Sequence, residues 1–312
     1  MDEDGWPAPP VGQPAEGDDG WVTIREVGPR DGLQVEKPLP VRSRLELIEG
    51  LLAAGLGCIE VAAFVSPTKV PSMADADLVL RGLPADSDAS FFVLVPNLRG
   101  TQLAMDAGAT ALTVTVSASD AYSVANVGRG RDEASAEVEG ILAFLDGSLP
   151  VDVVVSCAFG YASRERADLG WVAGHLARWA AAGPSSLTLA DTTGEAVPHG
   201  IEEAVDRFGP DFGLHLHETR RTGLANAHAA LRAGVRRFDT SVAGLGGSPF
   251  AEGAAGNLAT EDLVHLLGGM GLHCGIALER LLDVSLGVTE LLGRPPSALA
   301  AVGPAVGWGP EA

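Results

Sequence analysis

Eight short β-branched runs alternate with longer Ala/Leu-rich amphipathic segments between Trp21 and residue 242, and few architectures accept that rhythm. The runs are 22–27, 58–63, 90–95, 111–116, 151–156, 186–190, the stretch 212–218 and 237–242. Strands that alternate with helices pair in parallel through right-handed crossovers, and eight such units in about 250 residues suit a closed ring better than an open sheet. A doubly wound sheet would want a G-x-G-x-x-G turn after its first strand, where this chain has Gly28-Pro29-Arg30-Asp31-Gly32. The expectation is therefore an α/β fold, a (β/α)8 TIM barrel over 21–294 with extra C-terminal helices at about 260–267 and 278–292. Residues 1–20, rich in Pro, Gly, Asp and Glu, read as a disordered N-terminal tail, and 295–312 as a loose C-terminal tail.

Composition narrows the partners. A formal charge of -20 with no Lys/Arg run excludes nucleic acid and anionic membrane as expected partners. The longest apolar run, 51–65, is interrupted by Glu60, and the N-terminus has neither the basic flank nor the apolar core of a signal peptide. Cys58, Cys157 and Cys274 are distant and odd in number, which fits a reducing cytoplasm rather than a disulfide framework or a thiolate metal site. Local arginines, backbone N–H groups or a metal ion can still draw a phosphorylated or carboxylate ligand into an acidic protein.

The stretch Phe212-Gly-Leu-His-Leu-His-Glu218 carries two of the seven histidines. On a strand, side chains two apart share a face, so His215 and His217 can converge on one cation; a pair of hydrogen-bonded or solvated imidazoles is the plainer reading. In a barrel the active site lies at the C-terminal strand ends. Those ends here bear Arg30 and Asp31, Glu60, Asn97, Ser119 and Asp120, Asp191 and Thr192, the two histidines, and Ser248 and Asn257 beyond the eighth strand. Asp31, His215, His217 and Asn257 make an N2O2 donor set suited to six-coordinate Mg2+ or Mn2+ rather than structural zinc. Taken singly, Asp31 reads equally as a turn residue and Asn257 as a loop hydrogen-bonder. Arg30, gripped by Glu60, would offer positive charge to a developing oxyanion; a purely structural ion pair is the alternative. The Gly-rich loop from 244 reads either as a phosphate cradle or as a hinged lid.

Together these residues resemble the 3-hydroxy-3-methylglutaryl-CoA lyase family of metal-dependent barrels, over about 22–282. The marks are Glu26-Val-Gly-Pro-Arg-Asp-Gly-Leu-Gln-Val-Glu36, Ile59-Glu60, Phe64-Val-Ser-Pro67, Val70-Pro-Ser-Met73, Val95-Pro-Asn97, Ala190-Asp-Thr192, His215-Leu-His217, Ala225-Asn226, Ala243-Gly-Leu-Gly-Gly247, Gly256-Asn257 and Thr260-Glu-Asp262. The resemblance implies that Asp31, His215, His217 and Asn257 bind the divalent ion, with Arg30 at an enolate oxygen and Glu60 supporting it. It places Gln34 and Asp191 near the substrate and Asn126 to Arg129 near its CoA portion; Asn97 and Thr192, at their strand ends, are read as substrate-binding beside them. The implied reaction is retro-Claisen cleavage of a 3-hydroxy-3-methylglutaryl-CoA-like thioester to an acyl-CoA and a 3-oxo acid, by a homodimer. A condensing synthase, an aldolase on another oxo acid, or an acyl-CoA-binding homologue without turnover are the alternatives.

The pattern breaks in two places. Where the family has a cysteine, this chain has Ser248, whose hydroxyl is far less acidic than a thiol. After the fifth strand, Cys157-Ala-Phe-Gly-Tyr161 runs into Ala162-Ser-Arg-Glu-Arg166 instead of the family's aromatic-Glu-Gly continuation, a change that bears on substrate choice. Glu218 and Arg220-Arg221 are smaller departures behind the histidines.

Overall fold

The computed structural model describes residues 20–161, 165–183, 186–247 and 255–304. Their strands are β1 (Thr23–Glu26), β2 (Cys58–Ala63), β3 (Ser90–Val95), β4 (Ala111–Ser117), β5 (Val151–Ser156), a two-stranded β6–β7 hairpin (Gly160–Tyr161 with Glu165–Arg166), β8 (Ser186–Ala190), β9 (Gly213–His215) and β10 (Arg237–Thr240). Eight of them close a parallel barrel in the order β1-β2-β3-β4-β5-β8-β9-β10, and β10 returns to β1 along Thr23–Arg237 to Glu26–Thr240. The helices are α1 (Val41–Ala53), α2 (Ala76–Gly82), α3 (Leu98–Asp106), α4 (Asp120–Val127), α5 (Arg131–Leu145), α6 (Leu169–Ala182), α7 (Pro198–Phe208) and α8 (Gly223–Arg232), followed by α9 (Thr260–Met270), α10 (Leu278–Leu292) and α11 (Ala298–Val302). The expected barrel with added C-terminal helices is what forms.

Alternation along the strands separates two interiors. Leu112, Val114, Ile59, Val93 and Val153 are buried in the main apolar core, as near-continuous burial of parallel strands requires. Their neighbours Phe92, Thr113 and Asp152 belong instead to a layer around Arg25. The Arg25 guanidinium lies 2.8 Å from Asp152 and 2.7 Å from Asp239, with its carbon 5.2 Å from the centre of the Phe92 ring. Ser186 and Thr188 donate to Asp152 at 2.6 and 2.8 Å, so buried charge is paired and its spare lone pairs are used.

Three expectations change at their edges. The seventh strand is shorter than the stretch that suggested it: β9 stops at His215, and His217 joins Asn257 in an isolated antiparallel bridge. The Gly28–Gly32 segment, where Asp31 read as a turn residue, is a single π-helical turn. The region from Pro295 is not wholly loose, because Ser297 caps the short α11 through the Ala300 N–H. The expected N-terminal tail lies outside the described residues but for Gly20, whose carbonyl accepts from His273. Among the described residues no helix is long and apolar enough to cross a membrane.

Candidate active site

The π-turn carries Arg30 and Asp31 from the end of β1 over the barrel mouth, where His215 arrives on β9, His217 just beyond it, and Asn257 on the segment after β10 that bridges to His217. The two imidazoles face each other with Nε2 atoms 3.1 Å apart, and His215 Nε2 lies 3.9 Å from Asp31 Oδ2. One donor atom from each of Asp31, His215 and His217 falls within 4.8 Å of the others. Asn257 closes the set, donating from Nδ2 to Asp31 Oδ2 at 2.8 Å and to the Leu245 carbonyl at 2.9 Å.

The outer ring nitrogens are also held. His217 Nδ1–H donates to the Ala255 carbonyl at 3.1 Å, and His215 Nδ1 lies 3.4 Å from Asp239. Such outer partners fix ring orientation and turn the Nε2 lone pairs inward. Burial and His215 push His217 down to about 4. Burial also opposes charge on His215, but Asp239 and Asp31 outweigh it and raise its affinity for a proton. Burial raises Asp31, yet Arg30 and the histidines prevail and hold it below the usual carboxylate range.

These residues fit a divalent cation. Two converging nitrogens and a carboxylate suit it chemically, and the buried Asn257 Oδ1 has no hydrogen-bond partner among the described residues. Beside them Arg30 reaches Glu60 at 2.5 Å and Asp31 at 2.7 Å, so its charge is fixed between two carboxylates.

A cavity of about 400 Å³ opens on this cluster. Arg30, Asp31, His215 and His217 line it, as do Gln34, Asn97, Asn126, Arg129 and Thr192. Some of these have structural duties as well: Asn97 caps α3 by accepting from Gly100, Thr192 accepts from the Cys157 N–H, and Arg129 pairs with Glu137 at 3.0 Å. Glu60 stands behind Arg30 rather than on the cavity wall. Asp191 is not brought to the wall either. Its Oδ1 accepts from the Glu195 and Ala196 N–H groups, while Oδ2 has no partner among the described residues. Burial raises this carboxyl to about 6. Ser248, expected beside the substrate, lies outside the described residues.

Asp239 and Tyr122 escaped the sequence reading. Asp239, inside β10, links Arg25 to His215; an acid one residue before the strand's C-terminal end was the available signal. The chain's two tyrosines, Tyr122 and Tyr161, meet edge to face with centroids 5.4 Å apart, and Tyr122 forms part of the cavity wall.

Fold and site together define a (β/α)8 barrel with a candidate divalent-metal centre at its C-terminal mouth. Comparison with known proteins carries this further. The HMGL-like family model matches residues 21–288, and the chain belongs to that family. It is 41% identical to a hydroxymethylglutaryl-CoA lyase of Pseudomonas mevalonii, over 87% of this chain and 93% of the relative. It is equally 41% identical to an (R)-citramalyl-CoA lyase of Chloroflexus aurantiacus, over 91% of this chain and 95% of the relative. An HMG-CoA lyase structure from Acinetobacter baumannii, in complex with coenzyme A and 3-methylmalate, superposes with a TM-score of 0.88 at 34% identity, covering 96% and 99% of the two chains.

Proposed function

We propose that this chain is a divalent-metal-dependent carbon–carbon lyase that cleaves a 3-hydroxy-3-methylglutaryl-CoA-like thioester to an acyl-CoA such as acetyl-CoA and a 3-oxo acid such as acetoacetate. The observation that carries the reading is the convergence of Asp31, His215, His217 and Asn257 beside Arg30 on one cavity. When bound, the cation supplies Lewis-acid polarisation of hydroxyl and carboxylate oxygens. Mg2+ or Mn2+ is the expected ion, because the donors are nitrogen and hard oxygen.

In the reaction the C2–C3 bond breaks. The 3-hydroxyl loses its proton as C3 becomes a carbonyl, and the bonding pair passes to the thioester as an enolate that takes a proton at C2. Arg30, immobilised by Glu60, provides a charge that needs no reorganisation as the enolate oxygen becomes negative. Gln34, Asn97 and Thr192 would orient the acyl portion, and Asn126 and Arg129 the CoA portion. Ser248 would take the place of the family's cysteine in proton delivery, a step its weak acidity slows. Asp191, directed into its own turn, acts by holding the loop beyond Thr192.

The equal identity to a citramalyl-CoA lyase favours a second substrate of the same class, a thioester of another branched hydroxy acid. The test is acyl-CoA release from a panel of 3-hydroxy thioesters, with Mg2+ or Mn2+ added. Cleavage of at least one thioester above the rate of His215→Ala is expected; no cleavage of any would remove the reading. We propose further that the chain works in the cytoplasm as a homodimer, the latter measurable by light scattering.

A further inference from the structure

Glu261, at the start of α9, is fully buried yet belongs to neither the cavity nor its ion pairs. A carboxylate in that position must find donors for both oxygens. Oε2 accepts the Ala243 N–H at 3.1 Å. Oε1 accepts two hydroxyls, Ser285 of α10 at 2.7 Å and Ser297, the cap of α11, at 2.6 Å. Two of its three donors therefore come from the helices added after the barrel.

What Glu261 holds is the exit of β10. Ala243 has φ +59°, a left-handed conformation that a residue with a Cβ adopts rarely and keeps only when its surroundings impose it. Two residues later the Leu245 carbonyl receives Asn257 Nδ2, and the same nitrogen meets Asp31. The neighbouring Val242 N–H is gripped from the barrel side by Glu26, which also accepts from Gly28 and from the Thr260 hydroxyl. The turn that orients Asn257 is thus clamped twice. Glu26 clamps it to the π-turn bearing Asp31, and Glu261 clamps it to the C-terminal helices.

We infer that Ser285 and Ser297 are positioning residues for the metal centre: through Glu261 they hold the Ala243–Leu245 turn, and with it the Asn257 side chain, beside Asp31. This rests on the metal reading above. Removing the two hydroxyls leaves a buried carboxylate with one donor, and the turn then yields because its left-handed Ala243 has lost its anchor.

Mn2+ binding, followed by the electron paramagnetic resonance of the free ion, tests this without any substrate. The full chain is compared with S285A/S297A, S297A and S297T, with circular dichroism to confirm folding. The double variant should bind Mn2+ about tenfold more weakly, the low end of the range for groups that support metal ligands. S297A should lie between, and S297T, which restores a hydroxyl, should recover most of the affinity. An unchanged Kd in the double variant, even with a lowered melting temperature, would show that the serines only pack the helices. Should the double variant not fold, unchanged affinity in S297A would overturn the positioning role in the same way. Failure of the unaltered chain to bind Mn2+ would instead overturn the metal reading itself, and this inference with it.

Discussion

On the β1–β9–β10 side of the mouth Arg30, Asp31, His215, His217 and Asn257 are each held by a charged, polar or backbone partner, whereas the β4–β5 side is walled by aliphatics, helix caps, the Arg129–Glu137 pair and the Tyr122–Tyr161 contact. The first side is over-determined: Arg25, Asp239, Glu60 and Asn257 each fix a neighbour that fixes another. The second contains the left-handed Cys157 and joins the only hairpin among the described residues. Chemistry that is common to a family needs the first kind of construction, because a small displacement at reacting atoms is costly. Substrate choice can drift on the second, where a change in side-chain volume alters fit without disturbing the ion.

Substitutions separate the two sides. The largest effect is expected for Arg25→Met, which leaves Asp152 and Asp239 buried without their cation; urea unfolding should show a loss of about 3–5 kcal/mol. Arg30→Met should lower kcat about 100- to 1000-fold, as loss of an oxyanion-stabilising group does, with KM moved much less. Asp191→Asn probes the loop beyond Thr192 by pH. Its carboxyl is raised by burial to about 6, so its favourable contribution is complete below the unfolded value near 4 and is lost as pH rises through 6. The amide variant keeps an acceptor for Glu195 and Ala196, and should become more stable relative to the parent between pH 4 and 6, by at most about 3 kcal/mol in thermal or urea unfolding. Smallest is Tyr161→Leu, which removes an edge-to-face contact of about 0.5–1.5 kcal/mol. It should shift the ranking of thioester substrates while leaving Mn2+ affinity unchanged; a weakened Mn2+ affinity would mean that the two sides are not independent.

The metal-side residues were legible because they stand at strand ends with few alternative uses: Arg30-Asp31 after the first strand and His215 with His217 on one parity of the seventh. The orientation of Asp191 was not legible, because it follows β8 in a turn where strand alternation no longer applies and where its carboxyl accepts from the Glu195 and Ala196 N–H groups. Asp239 was overlooked because an acid inside a strand run looks like an interruption until Arg25 is seen opposite it. Ser285 and Ser297 carry no local signal at all, since their partner Glu261 is brought to them only by packing of α9, α10 and α11.

The ring closes where β10 meets β1, and the candidate ligands straddle that closure: Asp31 leaves β1, Asn257 follows β10, and 226 residues separate them. An ion held there acts as a clasp on the joint between the first and last staves of the barrel. Its binding energy adds to the work needed to open the ring, and long-loop closure makes that joint slow to re-form once parted. Chelation should therefore loosen β1 and β10 ahead of β4 and β5, visible as earlier amide hydrogen exchange along the joint.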